Sequence, residues 1–73
     1  RELREAVQSV IDTMPSKRRS VFCLSRFKSL TNQEIADKLG ISIRTVEKHI
    51  ELALRTFKEQ LGSFFALFVG WFL

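Results

Sequence analysis

One cysteine, one proline, one histidine and three glycines are all that this 73-residue chain holds of the residues that build crosslinks, kinks, ligand shells and tight turns. Each scarcity closes off a class. Cys23 alone forms no internal disulfide, and with His49 as the only imidazole no zinc site assembles, so a reducing, cytoplasmic setting without structural metal is expected. Without a glycine-rich phosphate loop, or a nucleophile set beside a base, no enzyme, no cofactor and no small-molecule substrate are expected. The length excludes a multidomain enzyme, and so short a domain has a small core that helical packing or a partner must support. The chain begins with Arg1 inside an amphipathic pattern, with no charged segment ahead of an apolar one as in a signal peptide, and reads as part of a longer protein.

What remains is apolar and basic: 45% hydrophobic residues, 12 Lys and Arg against 8 Asp and Glu, and a net charge of +4. Apolar residues recur at three and four spacings, and β-branched residues are scattered rather than alternating, which predicts an all-α fold. Residues 2 to 13 place Leu3, Val7, Val10 and Ile11 on one helical face. Pro15 sits where a first helical turn tolerates it, and residues 15 to 27 carry Val21, Phe22, Cys23, Leu24 and Phe27, apolar on most sides, as the central helix of a small bundle would. Thr31 with Glu34 three residues on forms a capping box, each side chain satisfying a backbone donor of the other. The helix it opens carries Ile35, Ala36 and Leu39 and stops at Gly40, which tolerates the left-handed conformation of a helix end. Ser42 is then the N-cap of a longer helix, from about Ile43 to about Gln60, with Val46, Ile50, Ala53, Leu54, Phe57 and Leu61 on one side.

A short helix, a glycine turn and a second helix with an apolar inner stripe and a charged outer face make a helix-turn-helix, here residues 31–55 within a domain of residues 1–60. Small Ala36 permits the close crossing; Ile35, Leu39, Ile41, Val46 and Ile50 fill the wedge; and Arg44, Glu47, Lys48 and Glu51 lie where a major groove would be met. Such pairs also occur in proteins that never touch nucleic acid, but the charge distribution favours DNA. Residues 13 to 33 hold Lys17, Arg18, Arg19, Arg26 and Lys28 and no acid, whereas residues 34 to 60 balance five basic against five acidic. The positive field therefore precedes the motif, where cations pair with phosphates, while base contacts select sequence. Cations at a helix start oppose its dipole, so local stability does not explain them. His49, at the margin of the buried stripe, reads as a half-buried or phosphate-contacting histidine rather than a pH switch. Cys23 reads as a small apolar core residue rather than a redox sensor, and Leu52 as an exposed leucine or a partner contact.

The stretch MPSKRRSVFCLSRFKSLTNQEIADKLGISIRTVEKHIELALRTFK resembles region four of bacterial sigma factors, specifically the extracytoplasmic-function subgroup and sequences of the kind found in Bacteroidetes. The likeness covers about Val7 to Lys58. LuxR-type output domains share the core, since ISIRTVEKH fits their pattern too, but they start with a Thr-x-Arg-Glu sequence where Met14, Pro15, Ser16 and Lys17 stand here. The resemblance implies a domain that reads a minus-35-type promoter element within RNA polymerase holoenzyme and docks on the flap of the polymerase β subunit. Carried over by position, it implies base contacts from Arg44, Glu47, Lys48 and Glu51, and phosphate contacts from Ser42, Thr45 and Arg55. His49 and two glutamates on this helix depart from many relatives, which leaves the bases read open.

Residues 61 to 73, LGSFFALFVGWFL, carry no charge and hold four of the seven Phe and the one Trp. As a helix these thirteen residues rise about 20 Å, short of the roughly 30 Å hydrocarbon core of a bilayer. No charged face accompanies the apolar one, so burial in protein remains. We expect an apolar C-terminal helical tail that packs partly on its own domain and partly, through Phe64, Phe65, Phe68, Trp71 and Phe72, on another molecule. A second copy, an anti-sigma factor, an upstream sigma domain and the polymerase flap all fit. A third functional class stays open beside the two DNA-binding ones: an interaction module that uses this tail.

Overall fold

The computed structural model describes residues 3–72, all in helices and short connections, with no strand among the described residues; the side chains of Leu67, Phe68, Trp71 and Phe72 lie outside that description. Helix α1 spans Leu3–Thr13, α2 Ser16–Arg26, α3 Asn32–Leu39 and α4 Ile43–Leu61; a 3-10 turn at Gly62–Phe64 leads into α5, Phe65–Phe72. The expected bundle containing a helix-turn-helix is the fold observed.

On α1 the three-and-four spacing buries Val7, Val10 and Ile11, and Met14 extends the stripe past the helix end. Pro15 stands one place before the first turn of α2, at the cap, where its missing N–H costs nothing. The Arg19 amide donates to the Pro15 carbonyl at 2.9 Å, and the Arg19 guanidinium donates to the Met14 carbonyl at 3.0 Å, closing the joint between the two helices. At its other end α2 stops at Arg26. Phe27 is the cap residue and half exposed, not a core residue; it meets the Phe22 ring edge-on at 6.4 Å. The chain then turns through Ser29, whose φ of 58° is left-handed, while the Leu30 amide closes back on the Leu24 carbonyl at 3.1 Å.

Two apolar clusters divide the interior, and α2 and α4 serve both. Val21, Ile35, Ala36 and Val46 form one, the wedge of the helix-turn-helix, with Leu24, Leu30, Leu39, Ile41 and Ile50 around it. Val7, Val10, Ile11, Met14, Phe22, Ala53, Phe57 and Leu61 form the other, beneath α1. Val21 and Phe22 are sequence neighbours, yet a 100° step around α2 sends them to different clusters. Phe22 and Phe57, both fully buried, meet at 4.8 Å between ring centroids. Burial of each ring contributes about 1.5–3 kcal/mol, and such a ring pair about 0.5–1.5 kcal/mol more. No polar side chain among the described residues is buried, so the chemistry of the domain lies on its surface.

The helix-turn-helix joints are as the residues predict. Thr31 Oγ1 accepts from the Glu34 amide at 3.1 Å and Glu34 Oε1 from the Thr31 amide at 2.8 Å, completing the capping box. Gly40 takes φ 68° and ends α3, with the Ile41 amide bonded to the Ala36 carbonyl. Ser42 Oγ accepts from the Thr45 amide at 3.0 Å and caps α4. The tail is not one unbroken helix: Gly62, at φ 55° and ψ −120°, stops α4 before α5 begins. Phe65 and Val69, one turn apart on α5, pack against the larger cluster, while Phe64 is 39% exposed. No described helix is long and apolar enough to cross a membrane.

Candidate nucleic-acid interface

Because Val46 and Ile50 turn inward, the 3.6-residue period of α4 carries Arg44, Glu47, Lys48, Glu51 and Arg55 outward, and all five are exposed. They are not equivalent. A single carboxylate oxygen, Glu51 Oε2, lies 3.7 Å from Lys48 Nζ and 3.2 Å from Arg55 Nη2. Arg44 and Glu47 have no ion-pair partner among the described residues. Ser42 and Thr45 are both exposed at the N-terminus of α4 and bonded to each other, Ser42 Oγ donating to Thr45 Oγ1 at 2.9 Å. A phosphate approaching here meets a helix N-terminus and two hydroxyls. Ile43, 38% exposed in the same turn, is a side chain that sequence reasoning passed over, and a thymine methyl is the groove feature it suits. Its only signal was its place directly after the N-cap.

His49 is half-buried on the flank of α4, with Nδ1 sealed from solvent and without a hydrogen-bond partner among the described residues. Burial lowers its pKa below the usual 6.5, and the charges of Arg18 and Lys17 lower it further, so the ring is neutral near pH 7. Those two cations act on it from the first turn of α2. Because α2 packs on α4 through both apolar clusters, the start of the basic helix lies within electrostatic reach of this flank. Arg18 is half-buried, with Nε sealed from solvent and without a hydrogen-bond partner among the described residues.

The other three basic residues of the cluster do not join this edge in the same way. Arg19 is turned to the Met14 carbonyl. Arg26 lies over the Phe22 ring at 6.0 Å and donates to Ser25 Oγ at 2.8 Å, and Lys28 stands exposed in the turn after α2. Cys23 packs on the larger cluster; burial raises its thiol pKa above 9.0, against a smaller opposing effect of Arg19. That keeps it a thiol rather than a nucleophilic thiolate. No group of three His, Cys, Asp or Glu among the described residues is arranged to hold a metal. Of the expected tail contacts, Phe64 is exposed and Phe65 is turned to the core; the side chains of Phe68, Trp71 and Phe72 lie outside the described residues.

A helix-turn-helix that presents a charged second helix near a cationic helix start has the architecture of small nucleic-acid-binding helical domains. Similarity to known proteins narrows that class. The family model described as "Sigma-70, region 4" matches residues 4–57, and the chain belongs to that family, which is DNA-binding and non-enzymatic. The ferric citrate uptake sigma factor FecI of Escherichia coli (strain K12) is 40% identical over 53 residues, 73% of this chain and 31% of that protein. The RNA polymerase sigma factor SigF of Mycobacterium tuberculosis, in strains CDC 1551 / Oshkosh and H37Rv, is 32% identical over 60 residues, 82% of this chain and 23% of that protein. The chain therefore spans less than a third of the length of these curated relatives. No solved structure gives a significant match. Of the two helix-turn-helix kinships expected from the sequence, the sigma one is the one found, and residues 61–73 fall outside the matched span.

Proposed function

We propose that this domain binds promoter DNA sequence-specifically, at a minus-35-type element, as the region-four part of a sigma factor of the extracytoplasmic-function type during transcription initiation. One observation carries the reading: α2 packs along α4 through both apolar clusters, which brings the charges of Arg18 and Lys17 within electrostatic reach of His49 on the second helix of the motif. Arg44 and Lys48 suit guanine acceptors, and Glu47 and Glu51 suit amine donors. Ser42, Thr45, His49 and Arg55 frame them toward phosphates, with Arg19, Arg26 and Lys28 contributing at longer range.

In this reading the domain acts in the cytoplasm within RNA polymerase holoenzyme, with the flap of the β subunit as its docking partner. Residues 61–73, set apart from the DNA-binding residues 1–60, serve partner contact. Exposed Phe64 favours that role; Phe65 is turned to the domain's own core, and Phe68, Trp71 and Phe72 complete the set assigned to the contact. An anti-sigma factor and a second copy of the chain are the other occupants it accommodates.

Selection of duplexes from a random pool, followed by titration at several salt concentrations, tests the DNA reading. About five phosphate contacts give a log–log salt slope near −4.5. Lys17→Ala with Arg18→Ala should weaken binding to every sequence alike and flatten the slope by about 1.8. Arg44→Ala with Lys48→Ala should instead erase the preference between sequences. Binding that ignores both salt and sequence would leave an interaction module as the better description.

A further inference from the structure

We infer that Glu51 is a specificity-determining gate on the outer face of α4: it occupies Lys48 and Arg55 until a base pair offers it an exocyclic amine in the major groove. The inference rests on the DNA-binding reading above and adds to it how non-cognate sequence is refused.

Residues 48, 51 and 55 stand at i−3, i and i+4 on one exposed ridge of the helix. One oxygen of Glu51 serves both cations, at 3.7 Å to Lys48 Nζ and 3.2 Å to Arg55 Nη2, the second contact also a hydrogen bond. The three side chains are 54–60% exposed, and ion pairs this wet do little to hold a fold together. Their consequence falls on whatever approaches the ridge. A phosphate backbone draws in free lysine and arginine regardless of sequence. Here two of the cations on the reading helix are already answered by a carboxylate, and any duplex that takes them leaves Glu51 facing a polyanion. That opposition applies to every sequence equally.

It is lifted where the groove edge presents a hydrogen-bond donor. Cytosine N4 and adenine N6 are the donors available there, and a carboxylate pairs with the cytosine amine. When Glu51 takes such an amine, its negative charge is answered by the base, and Lys48 and Arg55 are released to phosphate or to a guanine. Recognition of one base and recruitment of two cations then become a single event. Glu47 has no such cation partners among the described residues.

Glu51→Gln keeps the shape and removes the charge, and Glu59→Gln, on the same helix and also exposed, makes the same change of net charge without freeing a cation. Both variants and the unaltered domain are titrated by fluorescence anisotropy, at three salt concentrations, with random-sequence duplex DNA and with the duplex selected by the unaltered domain. Thermal melts are run alongside. Glu51→Gln should bind random duplex roughly 3- to 10-fold more tightly, with a salt slope steeper by about 1.8 for two freed cations. It should also lose most of its preference for cytosine at one position of the selected site, where the glutamine amide suits adenine instead. Glu59→Gln should change random binding less than twofold, and both variants should melt with the parent. Equal effects from the two variants, or a Glu51→Gln protein with parental slope and base preference, overturn the gate and leave the DNA-binding reading standing. A parent that enriches no sequence and binds without salt dependence overturns both.

Discussion

Two left-handed residues bracket α3, and substituting them tests whether the turns are held by backbone conformation alone. Ser29 ends the α2 side at φ 58°, and Gly40 ends the α3 side at φ 68°. A Cβ placed on Gly40 meets no atom within 4 Å, so Gly40→Ala carries no steric cost from neighbours. What remains is the left-handed penalty of an L residue, about 1–2 kcal/mol, reduced by the roughly 0.4–1 kcal/mol that alanine takes from the entropy of the unfolded chain. The net is a destabilisation of about 1 kcal/mol. Ser29→Gly runs the same sum with opposite sign and should stabilise by about 0.5–1 kcal/mol. In a domain of this size each change moves Tm by roughly 4–8 °C per kcal/mol, and the double variant should return close to the parent because the sites are independent. Urea unfolding followed by circular dichroism at 222 nm measures both, with the m-value unchanged. A loss above about 3 kcal/mol for Gly40→Ala, or any destabilisation by Ser29→Gly, would show that these turns are held by contacts and refute the reasoning.

Phe57 joins α4 to the Phe22 ring from a site with no exposure. Phe57→Ala should cost about 3–5 kcal/mol against a total stability of about 4–11 kcal/mol for 73 residues, so its cooperative melt should vanish or fall far below the parent's; a melt within a few degrees would contradict the packing described. The lowered pKa of His49 gives a pH dependence with a definite sign. Above the unfolded value of about 6.5 the ring is neutral in both states. Below it the unfolded chain takes up a proton that the folded one resists, so stability is lost as pH falls from 6.5 through the folded pKa. His49→Gln should therefore lose less Tm between pH 7.5 and pH 5.5 than the parent, and equal losses would show that burial and the charges of Arg18 and Lys17 do not hold the imidazole pKa down.

Local chemistry was legible before any folding was considered. The capping box of Thr31 and Glu34, the stop at Gly40, the cap at Ser42 and the wedge residues from Ile35 to Ile50 depend on groups within a few positions of one another, and local rules suffice for them. So did the outward face of α4, because a helix period decides its direction once the apolar side is known. The family resemblance lay in the same local signals. Phe27 misled because apolarity was read as burial, whereas a helix cap at a turn leaves a side chain half in water.

Sequence by itself thus determined the bounds of the helix-turn-helix and which side of each of the first four helices is apolar, but not the break at Gly62. Tertiary structure alone decided what covers that side: that Val21 and Phe22 part into different clusters, and that Phe65 and Val69 come to rest on the larger one. It also decided how the basic cluster of α2 is disposed, bringing the charges of Arg18 and Lys17 to bear on His49 while turning Arg19 to a carbonyl and Arg26 to a ring. The reason is physical. Periodicity reports direction about one helix axis, whereas proximity between helices depends on how those axes cross, and the crossing is set by the shapes of side chains distant in sequence.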